Sequence, residues 1–317
     1  MSTNPSNHRF NSAYFLVGPT ASGKTDIAHH IARSRDWDVL SADSMVVYRH
    51  MDKGTAKPSS AMMQEVRYHG INLTDPDKGY TAGNYCEYAR AVISNNMKIG
   101  RTTIVVGGTG LYIKALILGL DAPSVADAGR RLELDRIGKE DGITALLALL
   151  EKIDSSALKA LKDKSNPRRI IRAIELAESG QGRDRKWADA VLPAVPCIAI
   201  DTAILNSRIE TRGRAMFKNG LVDEARCLRR DFKDLSATAL HAIGYAEAFK
   251  VLDGEMTEDA AIQSTIIRTR QLAKRQRTWF RNVQKVDYID LTNITDVAAA
   301  AKIVDDYWQK HGSVQLL

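Results

Sequence analysis

Apolar positions along this chain fall into two textures. Short runs rich in β-branched residues alternate with longer stretches in which apolar residues recur every three or four positions. Strands are expected at 13–18, 38–42, 102–106, 195–200 and 286–290, with helical patterns between them. Strands and helices in alternation predict an α/β fold, a core built on a parallel sheet. Between about 122 and 191 the alternation stops, and 127–138, 143–151, 155–161 and 168–179 read as helices with no strand among them. The expected organisation is therefore a core over 1–121, a helical insertion domain over 122–191 and a return to the core over 192–317. Pro123 at one end of the insertion, and Gly180, Gly182, Pro193 and Pro196 at the other, supply breaks.

Directly behind the apolar run Tyr14-Phe15-Leu16-Val17 stand Gly18, Pro19, Thr20, Ala21, Ser22, Gly23, Lys24 and Thr25. This is a complete G-x-x-x-x-G-K-[ST] phosphate loop between a strand and a helix, which makes the core P-loop NTPase-like. Its glycines let successive backbone N–H groups turn inward, and the following helix points its positive end at a phosphate. Lys24 adds a point charge and Thr25 a hydroxyl for Mg²⁺. A nucleotidase of this type carries an Asp at the end of a later strand. Here 102–106 runs instead into Gly107, Gly108, Thr109 and Gly110, whereas the second apolar segment closes on Asp43. Because strand ends converge on the ligand crevice in a parallel sheet, Asp43 is expected beside the loop.

Composition narrows the class. The chain has 317 residues, 44% hydrophobic and 26% charged, enough for a sizeable core. The first ten residues are polar and no apolar stretch reaches the roughly 20 residues that span a bilayer, so cytoplasmic placement without membrane contact is expected. Cys86, Cys197 and Cys227 are too scattered for a disulfide framework or a metal site, and buried thiols are expected. The net charge of +7 suggests a polyanionic partner. Between Asp259 and Asp287 there is no acid, while Arg268, Arg270, Lys274, Arg275, Arg277, Arg281 and Lys285 accumulate around Trp279 and Phe280. On a helix this predicts a basic face with an aromatic pair, suited to phosphate contact and base stacking. Arg168, Arg169 and Arg172 begin another helix after Pro167, where they oppose the helix dipole and invite an anion.

Five stretches together resemble the tRNA dimethylallyltransferases, or tRNA isopentenyltransferases, of bacterial type: GPTASGKT at 18–25, DSMVVYRHMDKGTAKP at 43–58, VGGTGLYIKAL at 106–116, NPRRIIRAIE at 166–175 and RTRQLAKRQRTWFR at 268–281. The resemblance implies transfer of a dimethylallyl group from dimethylallyl diphosphate to the exocyclic amine of the adenosine 3′ of the anticodon, in tRNAs reading codons that start with U. It turns residues 18–25 into a site for a diphosphate leaving group, with Mg²⁺ at Thr25. Asp43 matches the family's acid at the target amine, as general base or acceptor, and Thr109 a residue at the mouth of the reaction channel. Arg208 and Arg212 match an R-I-x-x-R segment that neutralises diphosphate, and complete the expected catalytic set. The implied contacts with the tRNA anticodon stem-loop are Asp43, Ser44, Met45, Val46 and Thr109; Arg131; Arg168, Arg169, Ile170, Ile171 and Arg172; His241, Ala242, Ile243, Gly244, Tyr245 and Ala246; and Lys274, Arg275, Gln276, Arg277, Thr278, Trp279, Phe280 and Arg281.

The match has departures. Many members carry Gln where Val46 stands and Gly where His50 stands, and the family's Pro-His-His stretch reads Tyr68-His69-Gly70. Eukaryotic relatives often add a C-terminal zinc finger that this sequence does not show, so a bacterial type without zinc is expected; a monomer is expected as well. Two other enzymes share the loop. An adenylate isopentenyltransferase alkylates free AMP or ADP, but does not need the basic helix; a P-loop small-molecule kinase would use Asp43 to accept a hydroxyl proton.

Overall fold

A computed structural model describes residues 11–119, 128–179, 192–282 and 285–317. Pro123, Gly180, Gly182 and residue 127 lie outside the described residues. The chain forms two compact units, one from Met1–Gly119 with Val191–Leu317, the other Leu120–Ala190.

The first unit is organised on a sheet of β1 (Ser12–Val17), β2 (Asp38–Ser41), β3 (Tyr68–His69), β4 (Thr103–Gly107), β5 (Val195–Ala199), β6 (Val286–Asp290) and β7 (Val314–Gln315). Its order is β3-β2-β4-β1-β5-β6 with parallel pairing throughout, and β7 joins the start of β1 antiparallel. All five strands expected from the apolar runs form; β3 and β7, at two residues each, are too short to leave a pattern. In chain order the helices are α1 (Lys24–Arg35), α2 (Ser60–Glu65), α3 (Ala82–Lys98), α4 (Gly110–Leu118), α5 (Ala128–Glu140), α6 (Gly142–Ile153), α7 (Ser155–Ala160), α8 (Pro167–Glu178), α9 (Thr202–Lys218), α10 (Leu221–Asp231), α11 (Ala237–Leu240), α12 (Tyr245–Leu252), α13 (Glu258–Asn282) and α14 (Val297–His311).

Period-two alternation on β1 feeds two cores. Leu16 packs with Ile27 and Ile31 of α1, Ile209 of α9 and Val304 and Trp308 of α14. Phe15 and Val17 pack on the other face with Tyr85 and Ile93 of α3 and Ile113 and Leu116 of α4. The buried Trp308 indole N–H donates to the Phe15 carbonyl at 3.0 Å, tying α14 to the strand that delivers the phosphate loop. A third cluster seats Val47, Tyr48 and Met51, from the segment after β2, on Phe217, Leu221, Leu228, Tyr245 and Phe249. Cys86 and Cys197 are buried as expected, but Cys227 is exposed. Leu221, Ala225 and Leu228 make the inward face of α10, and position 227 falls off it.

The second unit contains α5–α8 around Leu134, Leu146, Leu150, Ile170, Ile171 and Ile174. Asn166 caps α8 by accepting from the Arg168 N–H at 3.1 Å, and Pro167 occupies the first turn, where a missing N–H costs nothing.

At the start of β2 the carboxylate of Asp38, 1% exposed, accepts from His69 Nε2 at 2.8 Å, Asn96 Nδ2 at 3.0 Å and Arg101 Nε at 2.9 Å. Burial raises its pKa, but the hydrogen bonds from His69 and Arg101 and the Arg101 charge outweigh that and hold it below 3.8. A depressed carboxylate stabilises the fold above its unfolded pKa, and that contribution disappears as pH falls through the folded value. Asp38→Asn should cost about 2 kcal/mol at pH 7, by stranding buried donors. In denaturant titrations the gap between wild type and variant should shrink as pH is lowered below about 4.

Candidate active site

The loop at 18–25 leaves β1 at Val17 and enters α1 at Lys24. Gly23 (φ 87°) and, less expected for a residue with a Cβ, Ala21 (φ 63°) lie in the left-handed region. Left-handed residues among right-handed ones turn consecutive N–H groups to one side, which is how a backbone makes an anion nest. The Lys24 ammonium folds back to donate to the Pro19 carbonyl at 3.0 Å. Ser22 Oγ is buried and meets no hydrogen-bond partner among the described residues, as suits a group aimed at a phosphate oxygen.

Across the sheet, β4 stands between β1 and β2, so Asp43 is one strand further from the loop than direct adjacency would put it. The gap is narrowed by glycine. A Cβ on Gly107 would stand 2.2 Å from the Ala42 carbonyl oxygen, so only glycine lets the ends of β4 and β2 meet this closely. Asp43 Oδ1 accepts from the Met45 N–H at 2.8 Å, and Thr109 Oγ1 accepts from the Ser44 N–H at 3.1 Å. The sequence-expected Asp43 and Thr109 are thereby brought together in one turn-to-turn contact.

The remaining wall is α9. Arg212 Nη2 donates to Thr20 Oγ1 at 2.6 Å, and the Arg208 guanidinium approaches within 3.9 Å of the point where a Cβ on Gly23 would lie. Both arginines therefore reach the loop. Loss of hydration lowers the Lys24 pKa to about 8, the Asp43 charge opposes that, and the Arg212 charge adds to it. Loss of hydration also lowers Arg212, again opposed by Asp43. Asp43 is thus in electrostatic reach of both cations. Cys197, next to Lys24, is pushed up to about 12 by burial and remains a thiol.

Magnesium fits this donor set only as a partner of bound phosphate. Thr25 supplies one hydroxyl at the start of α1, and among the described residues no group of three His, Cys, Asp or Glu could hold a metal. A hard cation that keeps water and phosphate oxygens as ligands needs no more from the protein.

The residues expected to face tRNA separate by exposure. Along α13, Lys274, Arg275, Thr278 and Arg281 are exposed, and Arg277 donates to Thr202 Oγ1 at 2.8 Å. Phe280 is fully buried in the core under α3 and α4, and Trp279 packs so closely on α4 that a Cβ on Gly110 would stand 2.1 Å from its ring. The base-stacking pair read from composition is corrected here: these aromatics fasten α13 to the core. Val46, Ala242 and Tyr245 are buried, with the Tyr245 hydroxyl donating to Glu224 and accepting from the Gly54 N–H at 3.2 Å. Ser44, Met45, Ile243 and Ala246 are half-buried, Gly244 is buried, and His241 is exposed, its carbonyl accepting from Arg268 at 3.0 Å. In the second unit Arg168 and Arg169 are exposed, Ile170 and Ile171 are core, and Arg131 and Arg172 both pair with Glu175, at 2.8 and 3.5 Å. Composition gave no hint of the inward role of Gln276, which binds the phosphate loop through Thr20 N at 2.8 Å and Gly108 O at 3.1 Å.

A phosphate loop on a parallel sheet, two arginines over it and a carboxylate across it define an α/β enzyme of P-loop type that handles a phosphorylated substrate. The model of the IPP transferase family matches residues 46–283, and the chain belongs to that family. It is 38% identical over 278 residues to a tRNA dimethylallyltransferase of Thiobacillus denitrificans, covering 85% of this chain and 88% of that one. Among solved structures, the full-length tRNA isopentenylpyrophosphate transferase of Bacillus halodurans superposes with a TM-score of 0.68 at 33% identity, over 95% of this chain and 97% of that one. A eukaryotic dimethylallyltransferase acting on tRNA shares the fold, with a TM-score of 0.78 at 20% identity over 94% and 79% of the two chains. The chain is therefore a prenyl-transferring enzyme by family.

A bound anion favours protonated Lys24, so binding above pH 8 must take up a proton. For an alkyl diphosphate, whose terminal phosphate ionises near pH 6, affinity should be flat only between about pH 7 and 8. Above pH 8, affinity should fall toward about tenfold per pH unit. Calorimetry in buffers of different ionisation enthalpy checks the proton uptake, and Lys24→Met should bind weakly with no such slope.

Proposed function

We propose that this enzyme transfers the dimethylallyl group of dimethylallyl diphosphate to the exocyclic amine of the adenosine 3′ of the anticodon, in tRNAs reading codons that begin with U. The observation that carries the reading is the Asp43 carboxylate within electrostatic reach of the cationic loop, with glycine rather than an acid closing β4. A hydrolase of the P-loop type would want its metal-holding acid there. An acid on the far side of β4 instead suits a second substrate whose reacting atom must lose a proton.

The allylic C–O bond breaks while the N–C bond forms, leaving positive charge spread over the allyl group and negative charge on the departing diphosphate. Lys24, Arg212, Arg208 and the loop N–H groups meet that negative charge without having to reorganise. Thr25 would help hold magnesium, which would supply further neutralisation of the leaving group. An adenine amine is barely nucleophilic, and it loses its proton as the new bond forms; Asp43 accepts it, or holds the N–H in line for transfer to solvent. The fixed Asx turn at Met45 and the Thr109 contact set where that carboxylate points. Exposed Lys274, Arg275, Arg168 and Arg169 supply phosphate contacts for the tRNA anticodon stem-loop. The enzyme acts in this reading as a cytoplasmic monomer.

The test incubates the protein with dimethylallyl diphosphate, magnesium and unmodified tRNA, alongside AMP and ADP, and weighs the nucleosides after digestion. A five-carbon mass gain on the tRNA adenosine is expected. A gain on AMP or ADP alone would replace this reading with a free-nucleotide enzyme, and no product on any acceptor would overturn both. In the same assay Asp43→Ala should lower kcat by about 10²- to 10⁴-fold while tRNA affinity holds within about twofold. Charge reversals at Lys274 and Arg275 should instead weaken tRNA binding and reduce the steepness of its dependence on log salt by about one for each phosphate contact removed. An unchanged salt slope would make that face ordinary solvated surface.

A further inference from the structure

Ala273, Gln276 and Phe280 recur at helical spacing on the inward side of α13, while Lys274, Arg275, Thr278 and Arg281 face solvent. Gln276 is the polar member of that inward row, and both ends of its amide are used on backbone. Its Oε1 accepts from the Thr20 N–H at 2.8 Å and its Nε2 donates to the Gly108 carbonyl at 3.1 Å. One side chain thereby joins the phosphate loop to the turn after β4, the turn that carries Thr109. Gly108 lies close against the amide: a Cβ there would stand 2.3 Å from Gln276 Nε2 and 3.0 Å from the Gly18 carbonyl. The same helix also braces α9. Arg270 pairs at 3.1 Å with Glu210, which stands between Arg208 and Arg212.

We infer that Gln276 is a positioning residue for the phosphate loop and not a tRNA contact, and that it spaces the diphosphate cradle from the Asp43–Thr109 side of the site. The inference rests on the transfer reaction proposed above. An amide suits the task because it offers an acceptor and a donor on one rigid plane without titrating. Without it the Thr20 N–H loses its partner and the loop its fixed distance to Gly108. The cost falls on diphosphate binding and on alignment at the allylic carbon, where small displacements are expensive. Docked tRNA and bound diphosphate then hold opposite sides of one helix.

Gln276→Met keeps the length and bulk of the side chain and removes both hydrogen bonds. The expected result is a Kd for the unreactive analogue dimethylallyl S-thiolodiphosphate raised ~10-fold, with kcat on tRNA lowered. The Kd for an anticodon stem-loop should stay within about twofold, even if the stranded Thr20 N–H and Gly108 carbonyl lower the melting temperature slightly. Lys274→Glu is the converse: it should lose stem-loop affinity and keep analogue affinity. Weakened stem-loop binding with normal analogue binding in Gln276→Met would make the residue a tRNA contact and overturn the inference. A parallel loss of both affinities with a lower melting temperature would do the same, by making it merely structural. If the wild type binds the analogue and transfers nothing to tRNA, the proposed function fails while the binding comparison still decides the role of Gln276.

Discussion

The site is organised around a charge imbalance that the folded chain tolerates and a diphosphate would resolve. Lys24 and Arg212 converge on one loop, both lose hydration there, and the Asp43 charge is the largest influence opposing the resulting loss of proton affinity. Cations held with too few counter-charges are unfavourable in isolation and favourable around a polyanion. Their arrangement is thus preorganised for the leaving group, with little left to move when negative charge develops.

Holding that imbalance in place falls to groups far apart in sequence. Glycines at 107, 108 and 110 thin the backbone so that β2, α13 and the Trp279 ring can close on the end of β4. Trp308 fastens α14 to β1, and Arg270 fastens α13 to α9 through Glu210. A loop with two left-handed residues in tandem with tight turns stores strain, and such strain persists only where the surroundings over-determine the backbone. The Gln276 bonds to Thr20 and Gly108 are one part of that determination.

Basic character is divided by function on the same elements. Arg268 and Arg270 spend their charge on Glu247 and Glu210, and Arg131 and Arg172 share Glu175, so these cations stabilise packing. Lys274, Arg275 and Arg168 remain exposed for a polyanion, as does Arg169 beside Asp163 at 3.7 Å. Net charge alone does not distinguish the two groups, because both count equally toward +7.

The sequence by itself determined the phosphate loop, the five longer strands, the helical character of the region around α5–α8 and the candidacy of Asp43. Each of these is local: a run of apolar residues, a fixed glycine spacing, an acid at the end of a strand. The five-motif resemblance added Thr109, Arg208 and Arg212, which no local pattern singles out. What only the tertiary structure decided were relations between segments. Gln276 and Thr20 are 256 residues apart, and nothing in α13 marks its inward amide as a partner of the loop. Trp279 and Phe280 read as an exposed stacking pair because helical periodicity gives a face but not its direction, and only packing against α3 and α4 turned that face inward. Asp43 was legible as a strand-terminal acid, yet its distance from the loop depended on β4 entering between β2 and β1. Strand order follows from how the faces of many elements cover one another, which is a property of the whole chain and not of any window within it.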